Sequence, residues 1–75
     1  MNRYAIGDNI ARYLVRKGWS QRRLAEEIGI TEVTLSRYMS GTRQPTVYSL
    51  LRMSRVLGCT MEDLCYGVDS EAGNE

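Results

Sequence analysis

The stretch that decides the fold is residues 21–40, which read QRRLAEEIGITEVTLSRYMS. Apolar residues recur at helical spacing on both sides of Gly29, and the glycine interrupts that spacing. Glycine is the usual residue just past a helix end, and a threonine such as Thr31 is a good first cap for the next helix. The sequence therefore predicts two short helices, from Gln21 to Ile28 and from about Glu32 to Met39.

The two predicted helices share an apolar face and a small residue where they come closest. A pair of helices crossing at about 90–120° through a three- to four-residue turn needs a small side chain at the contact, here Ala25, and a glycine at the bend. The shared inner face consists of Leu24, Ile28, Leu35 and Tyr38. This is the helix-turn-helix pattern, in which the first helix crosses the DNA backbone and the second enters the major groove.

Glycines and capping residues divide the rest of the chain in the same way, without a strand pattern. Gly18 and Gly58 stand where C-terminal caps belong, Thr46 and Thr60 stand where N-caps belong, and Thr60 with Asp63 resembles a capping box. The three further predicted helices run from about Asn2 to Lys17, from the Thr46 cap through Leu57, and from about Met61 to Cys65. Gly7 weakens the first turn of the first of these, and Ser20 is the predicted N-cap of the helix that begins at Gln21. The inward positions of the helix after Thr46 include Leu50, Leu51, Ser54 and Leu57. We therefore predict a compact all-α, five-helix domain over residues 1–66 and an acidic, disordered tail over residues 67–75.

Composition narrows the function classes. The chain has 75 residues, no His and two Cys, so we expect one domain, no metal or cofactor site, and no enzyme activity. No apolar run approaches the roughly 18 residues of a membrane span, and the N-terminus lacks a secretory pattern. The sequence predicts a cytoplasmic protein in which Cys59 and Cys65 remain thiols in or near the core.

The net charge of +1 conceals a gradient along the chain. Residues 1–58 hold all ten Lys and Arg against four acidic residues, whereas residues 59–75 hold five acidic residues and no cation. Such asymmetry favours one surface that meets a polyanion, and solvated charge without a partner is the alternative.

The sequence resembles the phage-repressor and Cro-like (XRE-type) helix-turn-helix family over about residues 6–65. The pattern gains specificity from Gly41 and Pro45 and from Leu57, Gly58 and Leu64, which follow at family spacing. The residues that carry the resemblance are Ile10, Gly18, Trp19, Ser20, Gln21, Leu24, Ala25, Ile28, Gly29, Ile30, Thr31, Thr34, Leu35, Ser36, Arg37, Gly41, Pro45, Leu57, Gly58, Cys59 and Leu64. The resemblance implies a lambda-repressor-like fold that binds operator DNA, generally as a dimer.

The resemblance also assigns site residues. It implies phosphate contacts from Ser20, Gln21, Ser40, Arg43 and Gln44, and base contacts from Thr31, Glu32, Val33 and Arg37. The helical wheel independently turns Glu32, Val33, Ser36 and Arg37 away from the core. Arg22 and Arg23 lie in the first turn of a helix, where the dipole disfavours cations, and a phosphate partner would explain them. We therefore add Arg22 to the predicted phosphate contacts.

Several of these residues have structural alternatives. Glu32 suits the N-terminus of a helix dipole at least as well as a base contact, and Val33 could be an ordinary exposed apolar residue. The predicted role of Arg12, Arg16 and Lys17 is a solvated face, and contact with backbone phosphate is the alternative. Arg52 and Arg55 are predicted to be solvated surface. Many family members bury an Arg–Glu pair where this sequence has Leu14 and Met39, and we expect these two apolar side chains to touch without loss of the fold.

The predicted function is sequence-specific binding of double-stranded DNA as a transcriptional regulator, a repressor at a pseudo-palindromic operator. A homodimer, at least on DNA, would suit such an operator. The apolar patch Met61, Cys65, Tyr66 and Val68 either completes the core or serves dimerisation. The alternative is an antitoxin-like protein whose main role is to bind a partner protein.

Overall fold

The computed structural model describes residues 5–67, which fold into five α-helices without a strand. The helices are α1 (Ala5–Lys17), α2 (Gln21–Ile28), α3 (Glu32–Ser40), α4 (Val47–Leu57) and α5 (Met61–Cys65). The predicted all-α fold and its five helices are confirmed, and α3 extends one residue beyond the predicted Met39. The predicted start of α1 at Asn2 and the predicted tail at 68–75 lie outside the described residues.

Each helix from α2 to α5 begins at a hydroxyl cap. The side chains of Ser20, Thr31, Thr46 and Thr60 each accept a hydrogen bond from the backbone N–H three residues on. The Asp63 carboxylate in turn accepts from the Thr60 backbone N–H, which completes the predicted capping box. Because these caps satisfy backbone donors that a short helix would otherwise leave unpaired, the sequence sets the helix starts locally.

The core gathers side chains from all five helices. Ten buried residues form it: Ile10, Leu14, Leu24, Ala25, Ile28, Leu35, Tyr38, Met53, Leu57 and Leu64. Met39 packs at its edge, so both members of the expected Leu14–Met39 contact join one cluster, while the contact itself stays a prediction. Of the predicted inward positions of α4, Ser54 and Leu57 are buried and Leu50 packs against the core, whereas Leu51 is only half-buried. Ser49 and Met53 are also buried on this helix.

Helix α1 crosses α3 at Gly7. A Cβ added to Gly7 would run into the backbone carbonyl of Met39 and lie 2.9 Å from its Cα. Gly7 looked from the sequence like a weak point in the first turn of α1. The structure gives the opposite reason for it, since only glycine permits this close approach of two backbones.

Helix α1 also holds the end of α5 through Asn9. This side chain is 3% exposed, and its amide donates to the carbonyls of Leu64 at 2.8 Å and Tyr66 at 2.7 Å. Its carbonyl oxygen accepts from the Arg12 guanidinium, so Arg12 is more than a solvated charge. The two ends of the described chain consequently meet, and a Cβ at Gly67 would lie 3.7 Å from that of Ala5.

Candidate nucleic-acid interface

The outer face of α3 has the orientation that the helical wheel predicts. Leu35 is fully buried and Tyr38 is 3% exposed, which fixes the inner face of the helix. On the opposite side Val33 is 61% exposed, and Glu32, Ser36 and Arg37 are exposed with it. We call these four residues the α3 outer face. Within residues 5–67 the recorded ion pairs do not include Arg37, so its guanidinium is available to a partner.

The N-terminus of α3 is shaped by two threonines. Thr31 is exposed, and its Oγ1 accepts from the Thr34 backbone N–H at 3.1 Å. The Thr31 hydroxyl also donates to the Thr34 Oγ1 at 2.9 Å. This bond occupies the Thr31 proton, so the Thr34 hydroxyl is the better placed to donate to a ligand. Sequence reasoning missed Thr34, although its place three residues after a threonine cap was the available signal.

The start of α2 presents three of the predicted phosphate-binding residues, Ser20, Gln21 and Arg22, all of them exposed. The Ser20 Oγ accepts the backbone N–H of Arg23 at 3.0 Å, and its own proton stays free to donate outward. Capping and phosphate binding are therefore compatible at Ser20.

The two arginines in the first turn of α2 have carboxylate partners in their own helix. The Nε of Arg22 lies 3.6 Å from Glu26, and the Nε of Arg23 lies 2.9 Å from Glu27. A phosphate is thus not needed to explain these cations, contrary to the sequence argument, which overlooked the i,i+4 spacing. Such exposed pairs are weak, and an Arg that precedes its Glu is the less favourable order, so both arginines can exchange partners at little cost.

The loop after α3 is folded back onto the helix end. The backbone carbonyl of Arg37 accepts from the backbone N–H groups of Thr42 at 3.0 Å and Arg43 at 3.2 Å. The Ser40 hydroxyl donates to the same carbonyl at 3.2 Å and lies 2.8 Å from the Thr42 hydroxyl. These bonds place Arg43 at a fixed distance from α3. They also engage the one proton of Ser40, which leaves Arg43 and the exposed Gln44 as the freer predicted contacts in this loop.

The turn between α2 and α3 is secured from α4. Gly29 has φ 76° and ψ 32°, a left-handed conformation that favours glycine. One NH group of Arg52 donates to the Ile28 carbonyl at 3.1 Å. Arg52 is exposed, as predicted, and its side chain also satisfies a carbonyl at the end of α2.

The two thiols lie away from this interface and are half-buried. Burial raises the pKa of Cys65. Burial and, less strongly, the charge of Asp63 raise the pKa of Cys59, against the lowering effect of a hydrogen bond with Tyr13. Both groups are therefore protonated near neutral pH, which disfavours thiolate chemistry. Over residues 5–67, His, Cys, Asp and Glu side chains form no group of three that could hold a metal ion, and no helix is long and apolar enough to cross a membrane.

Comparison with known proteins shows which proteins share the fold and the sequence pattern of this chain. A solved structure, that of a hypothetical transcription factor, NHTF, from Neisseria, matches with a TM-score of 0.79 over 97% of this chain and 84% of that one. Its sequence identity is 22%, so this likeness shows the fold alone.

Two proteins of Bacillus subtilis (strain 168) are similar in sequence. The HTH-type transcriptional regulator YvzC is 36% identical over 59 residues, which are 79% of this chain and 77% of that protein. The SPbeta prophage-derived HTH-type transcriptional regulator YonR is 29% identical over 66 residues, which are 88% of this chain. The match spans 61% of the length of YonR. A model of the helix-turn-helix family matches residues 10–64. The chain therefore belongs to the helix-turn-helix family.

Proposed function

We propose that this protein is a sequence-specific DNA-binding transcriptional regulator that inserts α3 into the major groove. The observation that carries the proposal is the α3 outer face, where Val33 is exposed beside Glu32, Ser36 and Arg37, while Leu35 and Tyr38 on the other side of the helix are buried. A mixed face of one cation, one carboxylate, one hydroxyl and one apolar side chain can read base edges, and a purely electrostatic surface cannot.

Each base-reading residue has a role that its chemistry supports. Arg37 donates two hydrogen bonds to guanine O6 and N7, Glu32 accepts from cytosine N4, and Val33 packs on a thymine methyl group. Thr31 and Ser36 add hydroxyl contacts, with Thr34 as the hydroxyl nearest to Thr31.

The flanking polar residues hold the DNA backbone. The proposed phosphate contacts are Ser20, Gln21, Arg22, Ser40, Arg43 and Gln44. Ser40 is the weakest of these, because it must release the Arg37 carbonyl before its proton can reach a phosphate. The contacts at the start of α2 and in the loop after α3 precede and follow α3 in the chain, and we expect them to hold the DNA backbone on both sides of the groove that α3 enters.

The proposal extends to the mode of regulation, the oligomeric state and the cellular location. The protein represses transcription by occupying a pseudo-palindromic operator as a homodimer, acts without catalysis, and works in the cytoplasm of a prokaryote or phage-infected cell. Residues 1–66 form the DNA-binding domain, and residues 67–75 are an acidic tail. The two Bacillus relatives are named as transcriptional regulators, which supports regulation of transcription and does not favour the antitoxin-like alternative.

The first experiment is selection of bound sequences from a random DNA pool at two salt concentrations. We expect a pseudo-palindrome whose half-sites are about 10 base pairs apart, centre to centre. Half-sites at that spacing would support the homodimer and give the operator. Failure to enrich any motif, with no binding at physiological salt, would overturn the proposal.

Two single substitutions separate base reading from backbone binding. Arg37→Ala should relax preference at one base pair of each half-site, at a cost of about 1–3 kcal/mol for the preferred base. Arg43→Ala should weaken every sequence alike and reduce the slope of log K against log salt by about 0.9 per bound chain. Equal effects of both substitutions on all sequences would contradict direct reading by α3.

A further inference from the structure

A half-buried indole at the turn between α1 and α2 carries two cations. The ammonium of Lys17 lies 5.0 Å from the centroid of the Trp19 ring, and the guanidinium of Arg23 lies 4.5 Å from it. Trp19 packs against the hydrophobic core, so the ring is a fixed platform. Tryptophan is the aromatic residue that attracts cations most strongly, and both side chains are close enough for that attraction.

Within the described residues, only one of the two cations has a carboxylate partner. Among residues 5–67, Arg23 pairs with Glu27 at 2.9 Å, while Lys17 has no carboxylate within ion-pair distance. The ring attracts both cations but carries no net charge, so it does not neutralise them. Two cations held on one ring therefore suit a negatively charged ligand.

The cluster adjoins the surface that we assign to the DNA backbone. The backbone N–H of Arg23 donates to the Ser20 Oγ at 3.0 Å. Arg23 thus contacts the ring through its side chain and the predicted phosphate-binding residue Ser20 through its backbone. We propose that Lys17 and Arg23, held on Trp19, form an additional clamp for a DNA phosphate beside the start of α2. This inference rests on the proposed function, and the evidence for it is the position of the two cations over the Trp19 ring.

Binding by this clamp includes an exchange of partners. Arg23 leaves the exposed Glu27 carboxylate and takes the phosphate, while Lys17 approaches the same phosphate from the other helix. Since the ring already restrains both long side chains, less of their freedom remains to be lost when the phosphate arrives. Trp19 is accordingly a positioning residue, and Glu27 competes with the DNA for Arg23.

The first test measures DNA affinity as a function of salt for Lys17→Gln and Arg23→Gln, with Arg55→Gln as a control that removes one exposed cation from α4. Each clamp variant should lose about fivefold in affinity at 0.15 M salt for all sequences and reduce the salt slope by about 0.9 per bound chain. Arg55→Gln should change neither quantity appreciably. Clamp variants that behave like Arg55→Gln would overturn the proposal.

Two further variants test the roles of the carboxylate and the ring. Glu27→Gln should tighten binding more than Glu62→Gln, which removes an exposed carboxylate from α5. Trp19→Leu, checked for folding by circular dichroism, should weaken binding about two- to fivefold with an unchanged salt slope, because the cations remain but are no longer positioned. Equal effects of the two glutamate substitutions would contradict the partner exchange.

Fluorescence of the wild-type protein gives a readout that needs no substitution. Trp19 is the only tryptophan, and iodide quenching at constant ionic strength reports how accessible its cationic surroundings are to an anion. Saturating DNA should reduce the quenching constant severalfold. If wild-type protein selects a DNA motif but the quenching constant does not change, the clamp is overturned and the proposed function stands. If wild-type protein binds no DNA, both are overturned.

Discussion

The α2–α3 unit and helix α1 are held in place by contacts of very different reach. Apart from the side-chain bonds with Ser49 and Arg52 of α4, the capping and turn hydrogen bonds within residues 20–41 join residues no more than five apart. Helix α1 instead meets Met39 at Gly7 and the carbonyl of Leu64 at Asn9, the latter 55 residues away in sequence. Contacts between residues close in sequence therefore set most of the conformation of the α2–α3 unit, which includes the α3 outer face. Contacts between distant residues instead fix the position of α1 in the domain.

Of the substitutions that test this contrast, Gly7→Ala should destabilise the protein most. The added methyl group meets backbone atoms of Met39, which cannot rotate away as a side chain could. We expect the free energy of unfolding to fall by about 3 kcal/mol, at the upper end of the usual overpacking cost. Urea unfolding followed by circular dichroism measures it. A loss below the roughly 1 kcal/mol typical of point substitutions would contradict the close approach of α1 and α3.

Asn9→Ala tests the contact between α1 and the end of α5. It removes the amide that satisfies the Leu64 and Tyr66 carbonyls, and we expect a loss of about 2 kcal/mol in the free energy of unfolding. Ser54→Ala is the matched control, since the buried Ser54 hydroxyl bonds only to the Leu51 carbonyl in its own helix. The same loss in both variants would remove the distinction between distant and local polar contacts.

Gly29→Ala and Gly58→Ala test local structure, because each changes the glycine that ends a helix, α2 or α4. Both glycines have left-handed backbone, with φ of 76° and 74°, and a Cβ would meet no clash at either place. Each substitution should cost about 1 kcal/mol from backbone strain alone. Only Gly29→Ala should also weaken DNA binding, because Gly29 sets the angle between α2 and α3. Affinity on the selected operator, measured at a temperature where both variants are folded, separates the two effects.

Asp63→Asn should have the smallest effect and a pH signature. Hydrogen bonds from Thr60, its backbone first, lower the pKa of the Asp63 carboxyl. The stabilisation is therefore complete above the unfolded pKa of about 3.9 and disappears as the pH falls through the lower folded value. Melting curves between pH 7 and pH 2 should show a smaller acid-induced loss in the variant than in the wild type. Parallel curves would mean that the capping box does not depend on the charge.

The contrast also explains how much could be predicted from the sequence. Helix starts at Ser20, Thr31, Thr46 and Thr60 are local events, and all four caps form where the sequence predicts them. The orientation of α3 follows equally from its own periodicity. Which bases it reads remains a proposal, because specificity depends on a partner that the sequence does not contain.

What sequence reasoning missed depends on residues far apart in the chain or on pairs that were not considered. Gly7 looked like a defect, because its reason lies at Met39. Arg52 looked like surface charge, since nothing near it in sequence indicates the Ile28 carbonyl. The Arg22–Glu26 pair was within reach of the i,i+4 rule and was overlooked. Long-range packing therefore limits prediction most strongly around α1.

Because Ala5 and Gly67 lie close together, the domain is suitable for circular permutation. A short linker between these positions would close the described chain into a ring, and new termini could then be opened at the exposed residues 42–44. In that circular permutant, α3 and the segment that begins at Pro45 would no longer be joined by a peptide bond, and only non-covalent packing would keep them in register. The same adjacency would allow the whole domain to be inserted into a surface loop of a host protein, which would then carry the α3 outer face as a cassette.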